Sequence, residues 1–158
     1  MTLVALSWIT RTHCVVAETI PAAPAQVRAF CVDLANIVQV HPLVVAVRST
    51  GRRDTGDGYT ETFRVQDRIQ LAGPVVMPIS YRVMLVVPTA GDVTTESRQF
   101  PRVRLRSVVS FAATDEGTRV VENIEIEAPA PLARLTVGQA TAAHEEMLAG
   151  IRRLFAAS

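Results

Sequence analysis

From Leu43 to Glu127 the chain is patterned for most of its length in period two, and that alternation limits the folds open to it. Tyr59, Phe63, Val65, Ile69 and Leu71 fall on one side of an extended chain. Thr60, Thr62, Arg64, Gln66, Arg68 and Gln70 fall on the other. Such a pattern specifies strands with one buried and one wet face, the signature of an antiparallel sheet. Strands are predicted over Leu43–Arg48, Tyr59–Leu71, Val75–Val87, Val93–Gln99, Val103–Ala113 and Thr118–Glu127. The turns Asp54-Thr55-Gly56-Asp57-Gly58 and Asp115-Glu116-Gly117 carry hairpin chemistry.

The alternation is framed by different signals. Arg11 to Ile20 is β-branched and ends at Pro21, as a strand does. Pro24 suits a first helical position, with Val27, Phe30 and Cys31 at helical spacing behind it. Asp33 can cap a second short helix to about Val38, and His41-Pro42 stops it, because proline disfavours helical geometry in the residue before it. Pro131 to Phe155 is the longest helical pattern, with Leu132, Leu135, Gln139, Ala143, Met147, Ile151 and Leu154 on one stripe and Arg152 and Arg153 near its end. The order is strand, two short helices, six strands, one long helix. This is an α+β layout in which the closing helix must cover one face of a seven-stranded sheet.

One domain over residues 1–158 accommodates this, with 1–10 leading into the first strand. A chain of about 150 residues buries roughly 70% of its extended surface, and 49% of these residues are apolar, so no disulfide or metal is needed to hold a core. Cys14 and Cys31 lack metal-ligand spacing and fit a reduced interior. All 16 basic residues are arginine, which excludes Schiff-base or lysine-base chemistry. A net charge of +1 gives no global field toward nucleic acid or anionic surfaces. The apolar run Leu3–Leu6 has no preceding positive charge and is too short to span a bilayer. A cytoplasmic location without stable membrane insertion is expected, and an exposed Trp8 segment could support a homodimer.

Several stretches carry a family likeness. Ile20-Pro21-Ala22-Ala23-Pro24-Ala25-Gln26-Val27, Asp33-Leu34-Ala35-Asn36 through His41-Pro42, Gly117-Thr118-Arg119-Val120 and His144-Glu145-Glu146-Met147-Leu148-Ala149-Gly150-Ile151 occur in an order that resembles the START-like superfamily. That superfamily includes Bet v 1-like allergens, polyketide cyclases and lipid-transfer domains. The resemblance covers about Arg11 to Phe155 and implies a helix-grip fold: a curved antiparallel sheet wrapped around the C-terminal helix, enclosing an apolar cavity. Members often place a tryptophan just before the turn proline of the second helix; Val40 occupies that neighbourhood here. Functions on this fold vary widely.

Strict alternation carries Glu61 and Asp67 to the same face as Phe63 and Val65, and Glu122 to that of Val120, Ile124 and Ile126. A buried carboxylate either meets a cation or acquires a raised pKa suited to acid–base catalysis. The competing reading is a bulge that turns the residue out, or an arginine that neutralises it. Tyr81 could hold a carbonyl or hydroxyl, or be an ordinary core tyrosine. The resemblance puts His41 at the cavity mouth, as a proton shuttle or as a turn-stabilising side chain. His144 starts a zinc-like His-Glu pattern whose second histidine is replaced by Leu148, so no metal is expected, nor any cofactor. His13 is expected to face solvent. Arg102, Arg104 and Arg106, with Arg64, Arg68, Arg82 and Arg119, form an outer basic face without aromatic platforms, beside Glu125 and Glu127. It reads as an ion-paired surface and not a nucleic-acid site.

The leading expectation is a binding protein for a lipid, polyketide or similar apolar molecule. Its cavity would be lined by Phe63, Val65, Ile69, Met77, Ile79, Tyr81, Val83, Leu105, Val109, Phe111, Leu135 and Met147. The alternative is an enzyme resembling the polyketide cyclases and dehydratases, with Glu61, Asp67, Tyr81, Glu122 or His41 moving protons. A partner-binding domain with a collapsed cavity is the third reading. Convergence of at least two of these polar groups in one pocket, without a neutralising arginine, separates the second from the others.

Overall fold

A computed structural model describes residues 8–158, and of residues 71 and 72 the backbone alone. The Leu3–Leu6 run and the inward orientation expected of the Leu71 side chain therefore lie outside what is described. The elements are β1 (Ile9–Ile20), α1 (Pro24–Val32), a 3₁₀ turn (Leu34–Gln39), β2 (Val44–Thr55), β3 (Gly58–Ala72), β4 (Val75–Pro88), β5 (Val93–Gln99), β6 (Val103–Thr114), β7 (Gly117–Pro129) and α2 (Ala130–Ala156). The helix-grip layout is present: an open seven-stranded sheet in the order β1-β7-β6-β5-β4-β3-β2, every neighbour antiparallel, with α2 laid across its concave face.

Local chemistry explains the boundaries. Pro24 opens α1, where the Ala23 N–H donates to Gln26 Oε1 at 3.3 Å. Asp33 Oδ1 accepts the Ala35 N–H at 3.2 Å and so caps the second helix, which is 3₁₀ rather than α. The β6–β7 turn requires glycine: Gly117 has φ 135°, and a Cβ there would lie 2.1 Å from the Ile20 carbonyl oxygen. The close approach is locked by Thr118 Oγ1 donating to the Ala22 carbonyl at 2.7 Å.

Two apolar clusters anchor the ends of the wedge. Val16, Ile20, Val120, Ile124, Ile126, Leu148 and Ile151 join β1 and β7 to α2. Leu34, Val44, Phe63, Val65, Val83, Leu85 and Val93 join the 3₁₀ turn to the β2–β5 side. Because α2 rests on β1 and β7 and stands off from β3, β4 and β5, a gap opens between the clusters. Val40, in the neighbourhood where members of the resembling superfamily often carry a tryptophan, is buried and packs on Gly150, whose added Cβ would sit 3.1 Å from Val40 Cβ.

The expected ion-paired outer face is realised only in part: among the described residues Arg64, Arg68, Arg82, Arg102 and Arg119 have no acidic partner. Arg104 and Arg106 reach Glu96 at 3.1 and 3.5 Å, and Arg11 reaches Glu127 at 2.6 Å. His13 is exposed, 3.4 Å from Glu125. Among the described residues no helix is long and apolar enough to cross a membrane, and no cluster of histidine, cysteine or carboxylate side chains could hold a metal ion.

Candidate functional site

The gap beneath α2 holds two chambers. The inner one, about 140 Å³, is walled by Val65, Val83, Val109, Phe111 and Met147 together with Leu34, Ile37 and Cys31. The outer one, about 180 Å³, is walled by Ile69, Met77, Ile79 and Leu135 with Phe100, Pro101 and Gln139. His41, Tyr81, Ser97, Leu105 and His144 line both, so they form the partition between the chambers. No arginine lines either chamber.

The partition is polar on a frame of apolar strands. Glu122 alternates on β7 with fully buried Val120 and Ile124 and is itself 3% exposed. His144 meets it from α2, its Nδ1 donating to Glu122 Oε2 at 3.0 Å. The Ser107 hydroxyl, 2.7 Å from Thr95 Oγ1, also helps to hold the Glu122 carboxyl in its ionised form. Burial works to neutralise both members of the Glu122–His144 pair, yet their mutual attraction and hydrogen bonding outweigh it. The Glu122 carboxyl is held below its ordinary range and the His144 imidazole above its own. The pair is an ion pair.

His41 stands edge-on to His144, ring centroids 5.7 Å apart. Burial, reinforced by the His144 charge and opposed by Glu122, pushes the His41 pKa down to about 3, so its ring is neutral. Its Nδ1 accepts the Leu43 N–H at 3.2 Å, which leaves the proton on Nε2. On the strand side, Tyr81 donates to both oxygens of Asp67, at 3.1 and 3.0 Å. Burial raises the Asp67 pKa to about 6 against the opposing pull of Tyr81 and His144. Burial and the same carboxylate raise that of Tyr81 well above its usual value. Cys31, on the inner wall, is pushed up to about 12 by burial and by Glu122, and is an inert thiol.

The amino-acid sequence matches a known family over most of its length. Residues 11–157 match the family described as polyketide cyclase / dehydrase and lipid transport. The chain belongs to this family. Solved structures agree at the level of fold. The protein TTHA0849 of Thermus thermophilus superposes with a TM-score of 0.68 at 19% identity, covering 94% of this chain and 97% of that one. The Zhui aromatase/cyclase of Streptomyces sp. R1128 does so with 0.70 at 13% identity, covering 94% and 99%. Ara h 8.0201 gives 0.66 at 14% identity, covering 94% and 100%. No curated protein matches the chain.

Within this polyketide cyclase/dehydrase and lipid-transport fold, four of the five expected acid–base residues reach the chambers. His41 and Tyr81 line both, Glu122 the inner and Asp67 the outer. Glu61 lines neither: it has the parity of Phe63 but accepts from Ser49 Oγ at 2.8 Å on edge strand β2, where the register shifts between Ser49 and Gly51. Of the expected wall residues, eleven border a chamber, while Phe63 is buried in the core on the β2–β5 side without touching either. The β3–β4 register runs unbroken from Gly58 to Gln70, so no bulge turns Asp67 outward. Neither buried carboxylate is neutralised by arginine; Glu122 meets a histidine and Asp67 a tyrosine. His144 is the residue sequence reasoning undervalued. As half a zinc pattern it led nowhere, but a histidine in register with Ala140, Leu148 and Ile151 is a polar group on a core-facing stripe, and that spacing is visible in the sequence.

Proposed function

We propose that the chain binds a small, largely apolar molecule bearing a carbonyl or hydroxyl group, and that it moves protons on that group as a cyclase or dehydratase does. One observation carries the reading: the Glu122–His144–His41 array and the Asp67–Tyr81 pair converge on the wall between two apolar chambers with no arginine to quench them. The apolar walls would fold a flexible ketide into a reactive shape, and proximity would supply much of the acceleration.

Asp67 is suited to be the base, because a pKa of about 6 leaves it ionised at neutral pH yet able to hold a proton. It would take a proton from a carbon next to a ketone. The resulting enolate carbon attacks a second carbonyl, and the new alkoxide takes up a proton. That proton is the one Asp67 took, so the carboxylate is regenerated; in dehydration Asp67 then takes a second α-proton and delivers it to the β-hydroxyl, which departs as water. Neutral His41 would donate its Nε2–H to the carbonyl oxygen, and the His144–Glu122 ion pair would stabilise charge developing there. The apolar inner chamber also favours a second reading, carriage of a lipid without chemistry.

Native mass spectrometry of the freshly purified protein should reveal an extra mass extractable into organic solvent. Incubation with a short poly-β-ketone thioester should then yield a cyclised product lighter by one water, and Asp67→Asn should stop its formation while retaining binding. A ligand that binds and returns unchanged would leave carriage as the function. Failure to take up any apolar molecule would defeat both readings.

A further inference from the structure

The antiparallel order divides the turns between the two ends of the sheet, and the ends differ in chemistry. The β2–β3, β4–β5 and β6–β7 turns share one end, which carries Asp54, Asp57, Asp92, Asp115 and Glu116. The start of β1, the β3–β4 and β5–β6 turns and the start of α2 share the other, where the outer chamber opens. There Phe100 is 90% exposed, Trp8 71% and Val75 56%, with Val76, Met77 and Leu135 also out in solvent. None of the exposed large apolar side chains lies in the turns at the acidic end.

The acidic residues follow the same division, although exposed Arg52 and Arg53 also stand at the β2–β3 turn. Residues 68–79, 97–106 and 128–140, which build the mouth end, contain no aspartate or glutamate. Arg68, Arg102 and Arg134 are exposed there, and none has an acidic partner among the described residues. Asp67 is sequestered in the chamber, and Glu127 on the outer sheet face is already paired with Arg11 and Arg104.

From this we infer that the mouth end docks on the surface of an anionic phospholipid bilayer, so that the outer chamber opens toward the lipid. Aromatic and aliphatic tips ringed by unpaired arginines are what an interfacial surface selects: apolar groups enter the acyl boundary while guanidinium groups meet phosphates. An acidic protein would match the arginines but leave a ring of protruding Phe, Trp and Val tips without a complementary groove. A second copy would set arginine against arginine. Docking is peripheral and independent of the acid–base reading, since it needs neither ligand nor turnover.

The test is co-sedimentation of the full chain with vesicles of phosphatidylcholine containing about one third phosphatidylserine, against vesicles of phosphatidylcholine alone. The wild type should prefer the anionic vesicles and lose that preference in high salt. Each arginine near such a surface is worth about a five-fold change in partitioning, so R68Q/R102Q/R134Q should reduce anionic binding by on the order of 100-fold. F100S/V76S should weaken binding by at least about ten-fold, with its thermal unfolding unchanged because both side chains are exposed. D115N/E116Q, at the opposite end, should bind as the wild type does. Absence of binding to anionic vesicles overturns the proposal, as does unaltered binding by F100S/V76S. So does a concentration-dependent dimer that F100S/V76S abolishes in a protein that ignores vesicles.

Discussion

Asp67→Asn should stabilise this protein at neutral pH and do so progressively less as the pH falls. The carboxyl is 7% exposed, and its pKa rises from 3.8 to about 6 on folding. A raised carboxyl pKa means that the folded state binds the proton more tightly than the unfolded one. The contribution is therefore most favourable below pH 3.8 and is lost as the pH climbs through 6. At about 1.4 kcal/mol per unit, ionised Asp67 costs the native state about 3 kcal/mol at pH 7.5. Asparagine keeps an oxygen to accept from the Tyr81 hydroxyl and removes the titration. Urea unfolding at several pH values measures the difference directly. The stability of Asp67→Asn relative to the wild type should improve by about 2.5 kcal/mol between pH 4 and pH 7.5, with a midpoint shift of roughly 1–2.5 M urea. Tyr81→Phe should push the wild-type titration to higher pH, because the Tyr81 hydrogen bond acts to lower the Asp67 pKa. A difference between Asp67→Asn and wild type that stayed constant across this range would refute the reasoning.

The Glu122–His144 pair should behave oppositely. Glu122, with its pKa lowered, stabilises above its unfolded value of 4.5 and stops doing so as the pH falls through its folded value. His144, with its pKa raised, stabilises below 6.5 and stops doing so as the pH rises through its own. Their joint contribution is thus greatest between those limits. His144→Leu should cost about 3–5 kcal/mol at pH 7 by stranding a buried carboxylate, and E122L/H144L should recover most of it, as chemical denaturation of both variants would reveal. Gly138, inside α2 with nothing within 4 Å of an added Cβ, should accept alanine with a gain of about 1 kcal/mol and a melting temperature higher by about 2–4 °C. Gly117→Ala should prevent β6–β7 from closing on Ile20 and lower soluble yield and melting temperature sharply, because the new Cβ overlaps a backbone oxygen that cannot move aside.

Much of this architecture was legible because strand and helix periods are local. The alternation over Tyr59–Leu71 and Thr118–Glu127 located β3 and β7 within a few residues, and parity turned Asp67 and Glu122 inward. Parity names a face but not what covers it. Glu61 shares that parity with Phe63, yet it binds Ser49 on an edge strand whose bulge no periodicity announced. The partner of Glu122 was likewise beyond local reasoning: His144 stands 22 positions away and reaches it because α2 lies along β1 and β7. His41 joins them from the turn at Pro42, through contacts with no sequence period.

By itself, then, the sequence determined the strands, the closing helix, the inward parity of two carboxylates and the absence of any lysine chemistry. The tertiary structure alone decided that the helix lifts away from β3–β5, that the gap divides into two chambers, and that a histidine, not an arginine, neutralises Glu122. Periodicity is set by neighbours along the chain, whereas burial, pairing and pKa are set by whichever groups packing brings within a few ångströms.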